Sequence, residues 1–369
     1  MLTPFQLNNL SQPIVKIYSK MEQDILYKII DRLKTDQDIS KDKVLEWQFE
    51  KFRQMGDLNK DVLKIISDAS DRSLESLNGI MKKISDNDVA AVDASLAEAV
   101  SKGKVKAAPA PEKDSRVYNT LRTLQGQAKD KLNLVRSSLL QNTGQVYRDI
   151  ISTSVAKVNA GQATTREAVA ETASRWAEKG LPALIDSRGR HWSIEGYIPT
   201  VINSVNNDLT NQMTFARMDS YDCDLIQISS HMGARPLCYP YQSHIYSRNG
   251  KSKKYPSLAS TSYGQPAGIF GVNCKHLAAA YVDGVNTRSY QQYPKAENDK
   301  VYQQTQKQRY YERKIRKAKT QLEISKRMDV DSAIQKAQAK VRNRQANMRQ
   351  FINDSGMTRQ YSREQTLTK

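Results

Sequence analysis

The chain has 369 residues, 38% of them apolar and 26% charged, with a formal net charge of +18. That length allows two or three domains with an ordinary core, and the polar balance fits a protein rich in exposed helix. No run is apolar enough to span a bilayer, "MLTPFQLNNLSQP" lacks a secretion-signal layout, and three cysteines argue against a disulfide framework and for a reducing compartment.

The charge is unevenly spread. Residues 1–100 carry 14 Lys/Arg against 17 Asp/Glu, whereas residues 301–369 carry 17 against 6, a surplus of 11. A cation-rich segment of this kind attracts polyanions by counterion release with little sequence preference, or forms a solvated helix face, or meets an acidic protein partner.

The pattern predicts a mainly α chain with a small α+β module. Residues 1–100 form an N-terminal helical region. Ser11 is expected to cap a first helix with Pro13 in its first turn, and Ile14, Ile17, Met21, Ile25, Ile29 and Leu33 give it one apolar stripe. A second helix is expected over 41–55, carrying Leu45, Phe49 and Phe52 and ending near Gly56, with a third running toward Ile84. "SKGKVKAAPAPEKDS" (101–115) reads as a linker. Helix resumes over 116–184, first to about 159, then from Thr164 or Thr165, where "TTRE" lets Glu167 fold back on the cap.

Composition changes over 185–290. This stretch holds all four histidines, all three cysteines and many glycines. "DLIQIS" (224–229) alternates like a strand, and "HIYSRNGKSKKY" (244–255) suggests a hairpin around Asn249-Gly250. The segment 291–369 returns to helix: Tyr311, Ile315, Ala318 and Leu322 form one stripe, Ile334, Ala337, Val341, Met348 and Ile352 another, and Gly356 ends the second. Two antiparallel basic helices are the simplest geometry.

His231, Cys238, Cys274 and His276 are the residues that carry recognisable chemistry. Two thiolates and two imidazoles match zinc's preferred tetrahedral donors, although the spacing is not that of a zinc finger. Alternatively the cysteines pack as small hydrophobes and the histidines are hydrogen-bonded core residues. A third reading is a metal-independent nuclease centred on His231 and His276, with Arg235, His244 and nearby tyrosines. No phosphate-binding Gly-rich loop, nucleophile elbow or acidic metal cluster accompanies them. Under a purely structural reading, Gly233, Gly264, Gly268 and Gly271 make tight turns. Arg235 would bind several carbonyls, and Tyr239, Tyr241, Tyr246, Tyr255 and Tyr263 would fill a small core.

The segments "GRHW" with "GYIPTVIN" (189–203), "SHMGARPLCYPYQ" (230–242), "YPSLASTSYGQPAGIFGVNCKH" (255–276) and "QRYYERKIRKAKTQ" (308–321) together resemble the phage minor capsid proteins of type 2. The resemblance covers roughly the second half of the chain. It departs from the family pattern at Tyr241, where a Trp is common, at Ser243, where a Gly is common, and at "VNNDLTNQ" (205–212).

What the resemblance implies is a non-enzymatic minor head protein of a tailed bacteriophage. It would be present in several copies in the virion, and in the host cytoplasm during assembly. Portal protein, major capsid protein and packaged double-stranded DNA would be its partners. Cys/His-rich segments at a comparable place in related head-morphogenesis proteins add weight to zinc at His231, Cys238, Cys274 and His276. In this reading Arg309, Arg313, Arg316, Lys317, Lys319, Arg342, Arg344 and Arg349 screen DNA phosphates without reading bases.

Overall fold

The computed structural model describes residues 2–186, 188–287 and 290–366, and among them the chain is mainly helical with a small α+β module. Two compact units are each assembled from three stretches of chain. The first comprises Met1–Ile14, Leu74–Lys131 and Ile198–Thr305; the second comprises Val15–Ser73, Leu132–Tyr197 and Gln306–Lys369. The regions marked out by composition are therefore stretches of sequence, and each unit draws on several of them. No helix of the described residues is long and apolar enough to cross a membrane.

Helix α1 (Pro4–Leu33) begins earlier than the sequence suggests. Thr3 and Gln6 form a reciprocal cap: the Gln6 N–H reaches Thr3 Oγ1 at 3.3 Å, and the Thr3 N–H reaches Gln6 Oε1 at 2.8 Å. Pro13 lies inside the helix, and Ser11 is not its cap; its hydroxyl donates to the Leu7 carbonyl one turn back. The buried stripe is Ile14, Tyr18, Met21, Ile25, Ile29 and Leu33, with Tyr18 taking the place expected of Ile17. Helix α2 (Val44–Arg53) buries Val44 and Trp47, leaving Leu45 and Phe49 exposed, so its inward face is not the expected one. Gly56 lies within α3 (Met55–Ser101), which continues past Ile84.

In the first unit, residues 102–114 connect α3 to α4 (Ser115–Asn159) but are held down along their length. The Lys106 N–H donates to the Tyr221 carbonyl, the Pro109 carbonyl accepts from Arg217, and Asp114 pairs with the same guanidinium. A three-stranded antiparallel sheet places β3 (Leu225–Ile228) between β4 (Ile245–Ser247) and β5 (Ala278–Ala280). Gln227 pairs with Ile245 on one side and Ala279 on the other. The expected return strand after Asn249-Gly250 does not form among the described residues: the chain turns there and pairs again only at Ser257, as a single bridge to Ser247. Ile226, Ile228, Tyr246, Ile269, Phe270, Cys238 and Cys274 join Phe215 and Met218 of α6 (Ile194–Ser220) and Leu96 of α3 in one apolar core. Of the five tyrosines expected to fill that core, Tyr246 is buried; Tyr239 and Tyr255 instead spend their hydroxyls on the Tyr293 carbonyl and Asp283.

In the second unit, α5 (Thr165–Lys179) opens with the expected capping box between Thr164 and Glu167. A short antiparallel pair, β1 (Pro182–Ile185) and β2 (His191–Ser193), follows. Helices α7 (Lys295–Met328) and α8 (Asp331–Ser355) make the expected antiparallel hairpin, sealed by Ile315, Met348 and Phe351, with Tyr311 5.4 Å from the Phe351 ring. Gly356, at φ 67°, supplies the left-handed residue that ends α8.

Candidate functional site

The cysteine–histidine constellation lies wholly in the first unit, on the two loops that flank the sheet. One loop follows β3 and carries His231, Arg235 and Cys238; the other precedes β5 and carries Cys274 and His276. The second loop is tightly wound. A Cβ on Gly268 would sit 1.8 Å from the Ser262 carbonyl oxygen, and one on Gly271 would sit 2.6 Å from that of Pro266, so only glycine fits either position. Phe270 and Asn273 both adopt the left-handed region, at φ 60° and 57°, the latter immediately before Cys274.

Arg235 ties the loops together as the sequence suggests. It donates to the Val272 carbonyl at 2.7 Å and the Gly268 carbonyl at 3.1 Å, and one guanidinium nitrogen lies 3.6 Å from Cys238 Sγ.

Cys238, Cys274 and His276 converge. All three are buried, and their candidate donor atoms lie within 4.8 Å of one another; among the described residues they form the one such group able to hold a metal ion. The two sulfurs are 3.9 Å apart and free of a disulfide, and Cys274 Sγ lies 3.4 Å from His276 Nδ1. His276 Nε2 faces Gln242 Oε1 at 3.1 Å, and that oxygen also accepts the His231 backbone N–H at 2.7 Å. His231 is brought alongside but not into this group: its ring centroid is 4.4 Å from that of His276 and the planes are tilted by 31°. His231 Nδ1 is 3.2 Å from the Met232 carbonyl, whereas its buried Nε2 has no hydrogen-bond partner.

Electrostatics follow from this packing. Hydrogen bonding with Cys238 and with His276 holds the Cys274 thiol far below its usual range against the cost of burial, and the same hydrogen bond between the sulfurs together with burial pushes Cys238 up. Burial, and then the neighbouring His276, drives His231 down to about 4, so it is a neutral imidazole at physiological pH. Cys223, His191 and His244 lie apart: Cys223 is a buried core residue beside the Tyr281 carbonyl, His191 belongs to β2, and His244 Nδ1 faces the Gln242 carbonyl.

Residues without a sequence signal complete the arrangement. Asn207 of α6 donates to the His276 carbonyl at 3.1 Å, and Asn211 accepts the Ala278 N–H at 2.8 Å. Both lie in "VNNDLTNQ", where this chain departs from the pattern it resembles, and both are buried.

The candidate DNA-contacting cations of α7 and α8, all in the second unit, differ in their surroundings. Arg316 pairs with Glu195 and donates to the Arg363 carbonyl, Lys319 donates to Gln365 at 2.9 Å, and Arg309 lies 3.8 Å from buried Glu312. These side chains spend their charge inside the unit. Arg313, Arg342 and Arg349 are exposed and have no ion-pair or hydrogen-bond partner among the described residues. Arg344 and Lys317 are half-buried, and Lys317 joins Arg313, Lys314 and Tyr310 around a shallow cavity of about 200 Å³.

Comparison with known proteins relates the chain to phage proteins. No solved structure matches it. A "Structural protein" of Lactococcus phage LL-H is 30% identical over 366 residues, which cover 95% of this chain and 98% of that protein. A "Structural protein" of Lactococcus phage mv4 is 35% identical over 112 residues, covering 30% of this chain and 91% of that protein. The family described as phage minor capsid protein 2 matches residues 2–353, nearly the whole length, and the chain belongs to that family.

Proposed function

We propose that this chain is a non-enzymatic minor component of a tailed-phage head, built into the particle beside the portal and the major capsid protein in several copies. In this reading its basic hairpin screens packaged DNA. The observation that carries the DNA contact is the presence on α7 and α8 of exposed guanidinium groups with no carboxylate partner among the described residues, those of Arg313, Arg342 and Arg349. Side chains already committed to internal ion pairs, such as Arg316, add little to a phosphate contact, because leaving Glu195 unpaired offsets the gain. Free guanidinium groups act on the phosphate backbone by charge, without base contacts.

The competing nuclease reading finds less support. His276 is 1% exposed and both its ring nitrogens are engaged, while His231 is stacked on it. General acid–base cleavage needs a base within reach of the substrate proton, and a ring sealed in the core has no such access. Placement in the virion and in the host cytoplasm during assembly follows from the same structural role.

Cross-linking inside DNA-filled heads, followed by peptide mapping, tests the reading. Nucleotide adducts on α8 around Arg342 and Arg349 are expected. Cross-links from this helix to protein alone in filled heads would transfer the hairpin to an acidic capsid or scaffold partner.

A further inference from the structure

We propose that Cys238, Cys274, His276 and His231 hold one structural zinc ion that ties the loop after β3 to the loop before β5. This inference stands apart from the DNA reading and uses residues of the other unit.

The distances among Cys238, Cys274 and His276 suit the ion, and His231 lies beside them with its ring centroid 4.4 Å from that of His276. With Zn–S bonds near 2.3 Å and Zn–N bonds near 2.0–2.1 Å, a tetrahedron has S–S edges of about 3.8 Å and S–N edges of about 3.6 Å. The Cys238–Cys274 sulfur separation is 3.9 Å and the Cys274–His276 Nδ1 separation is 3.4 Å. Sulfurs in simple van der Waals contact have a similar spacing, so the imidazoles decide the matter.

Each histidine is already set in the tautomer a metal requires. Gln242 Oε1 accepts the His231 backbone N–H, which identifies it as an acceptor, so His276 Nε2 carries the proton facing it. The Nδ1 lone pair then points at the sulfurs. His231 repeats the device with its nitrogens exchanged: Nδ1–H donates to the Met232 carbonyl, leaving the Nε2 lone pair buried and without a partner. A ligating histidine whose second nitrogen donates to a carbonyl oxygen is the usual outer arrangement of a zinc site. A neutral imidazole nitrogen buried with nothing to bond is costly in a plain apolar core, and coordination removes that cost.

The sulfurs are likewise prepared for negative charge. The His276 backbone N–H lies 3.4 Å from Cys274 Sγ, and the Arg235 guanidinium lies 3.6 Å from Cys238 Sγ. Two thiolates balance a divalent ion, and a donor set of two sulfurs and two nitrogens favours zinc over the oxygen-seeking cations. Asn207 and Arg235 hold the two loops from behind.

The test uses the full-length chain, purified without chelator and analysed for metal by mass spectrometry. One zinc per chain is expected. Cobalt(II) exchanged into the site should give the thiolate charge-transfer band and strong visible bands of a tetrahedral two-sulfur, two-nitrogen centre. Cys238→Ser and Cys274→Ser should lose the metal, whereas Cys223→Ser should keep it. His231→Ala should weaken zinc by at least about tenfold in chelator competition, and His244→Ala should not. Folded wild-type protein that takes up no zinc or cobalt would overturn the proposal, whether its thiols are then free or joined as a Cys238–Cys274 disulfide. Zinc retained in Cys274→Ser would overturn it equally, and unchanged affinity in His231→Ala would remove His231 from the ligand set.

Discussion

Arg217 Nη1 lies 2.7 Å from Asp114 Oδ2, and both side chains are 2% exposed. The other arm of the guanidinium reaches Asp93, so one residue of α6 joins α3 to the start of α4 within the first unit. Arg217→Met would strand two carboxylates, and removing one partner of a buried pair costs about 3–5 kcal/mol. Burial alone would raise the Asp114 carboxyl, but hydrogen bonds from Ser220, Arg217 and two backbone N–H groups at the start of α4 bring it below its usual value. A depressed carboxylate contributes stability above its unfolded pKa and loses it as pH falls through the folded one. Denaturant melts should therefore show a large Arg217→Met deficit at pH 7 that shrinks as Asp114 protonates, below about pH 4.

Glycines at two positions should respond in opposite ways to the same added methyl group. Gly268→Ala meets the Ser262 backbone oxygen and should destabilise by about 1–3 kcal/mol, since backbone must move. Gly126, inside α4 with nothing within 4 Å of an added Cβ, should become more stable by roughly 0.5–1 kcal/mol as alanine. Thermal melts of the two single variants check both signs.

Salt dependence of DNA binding should separate the two classes of hairpin cation. Replacing exposed Arg313, Arg342 and Arg349 by Gln should lower the magnitude of the log K against log salt slope by about 0.9 for each phosphate no longer neutralised. Arg316→Gln should leave the slope nearly unchanged and lower the melting temperature instead, because it unpairs Glu195. Binding to duplex fragments at two or three salt concentrations is enough to tell them apart.

Glu22 offers a pH test in the second unit. Burial pushes its carboxyl up to about 8, only partly offset by the Leu181 N–H that donates to it at 2.7 Å, with Glu195 adding to the rise and Lys317 opposing it. A raised carboxyl favours the neutral form in the fold, so stability is highest below the unfolded pKa and declines as pH climbs toward 8. Glu22→Gln keeps an acceptor for Leu181 and should melt about 2 °C or more above wild type at pH 9, with no difference near pH 4.

The features legible in the sequence were those set by a few neighbouring residues. Thr164 and Glu167 define their cap within one turn, Gly356 stops α8, and the stripes of α7 and α8 fold into the expected hairpin. Position 13 misled because a proline suits a first turn, yet Thr3 and Gln6 had already opened the helix ten residues before. Asn249-Gly250 does turn the chain, with Asp224 holding the Asn249 N–H in the turn, but the Ser247 hydroxyl takes the Ser252 N–H that a return strand would use. Among the site residues, the cysteines, histidines and Arg235 stand out by type. Gln242, Asn207 and Asn211 do not, because an amide becomes an orienting group only when folding brings it to a distant partner. The basic tail shows the same limit: composition counts Arg316 with Arg342, and only the fold, which sets Arg316 against Glu195 and the Arg363 carbonyl, distinguishes them.

Quantitative mass spectrometry of purified virions and of their empty precursors tests the central claim most directly. A structural head component should be found in both particles at the same fixed number of copies, retained through washing and genome packaging. A chain present in infected cells but absent from washed virions and precursors alike would contradict the account.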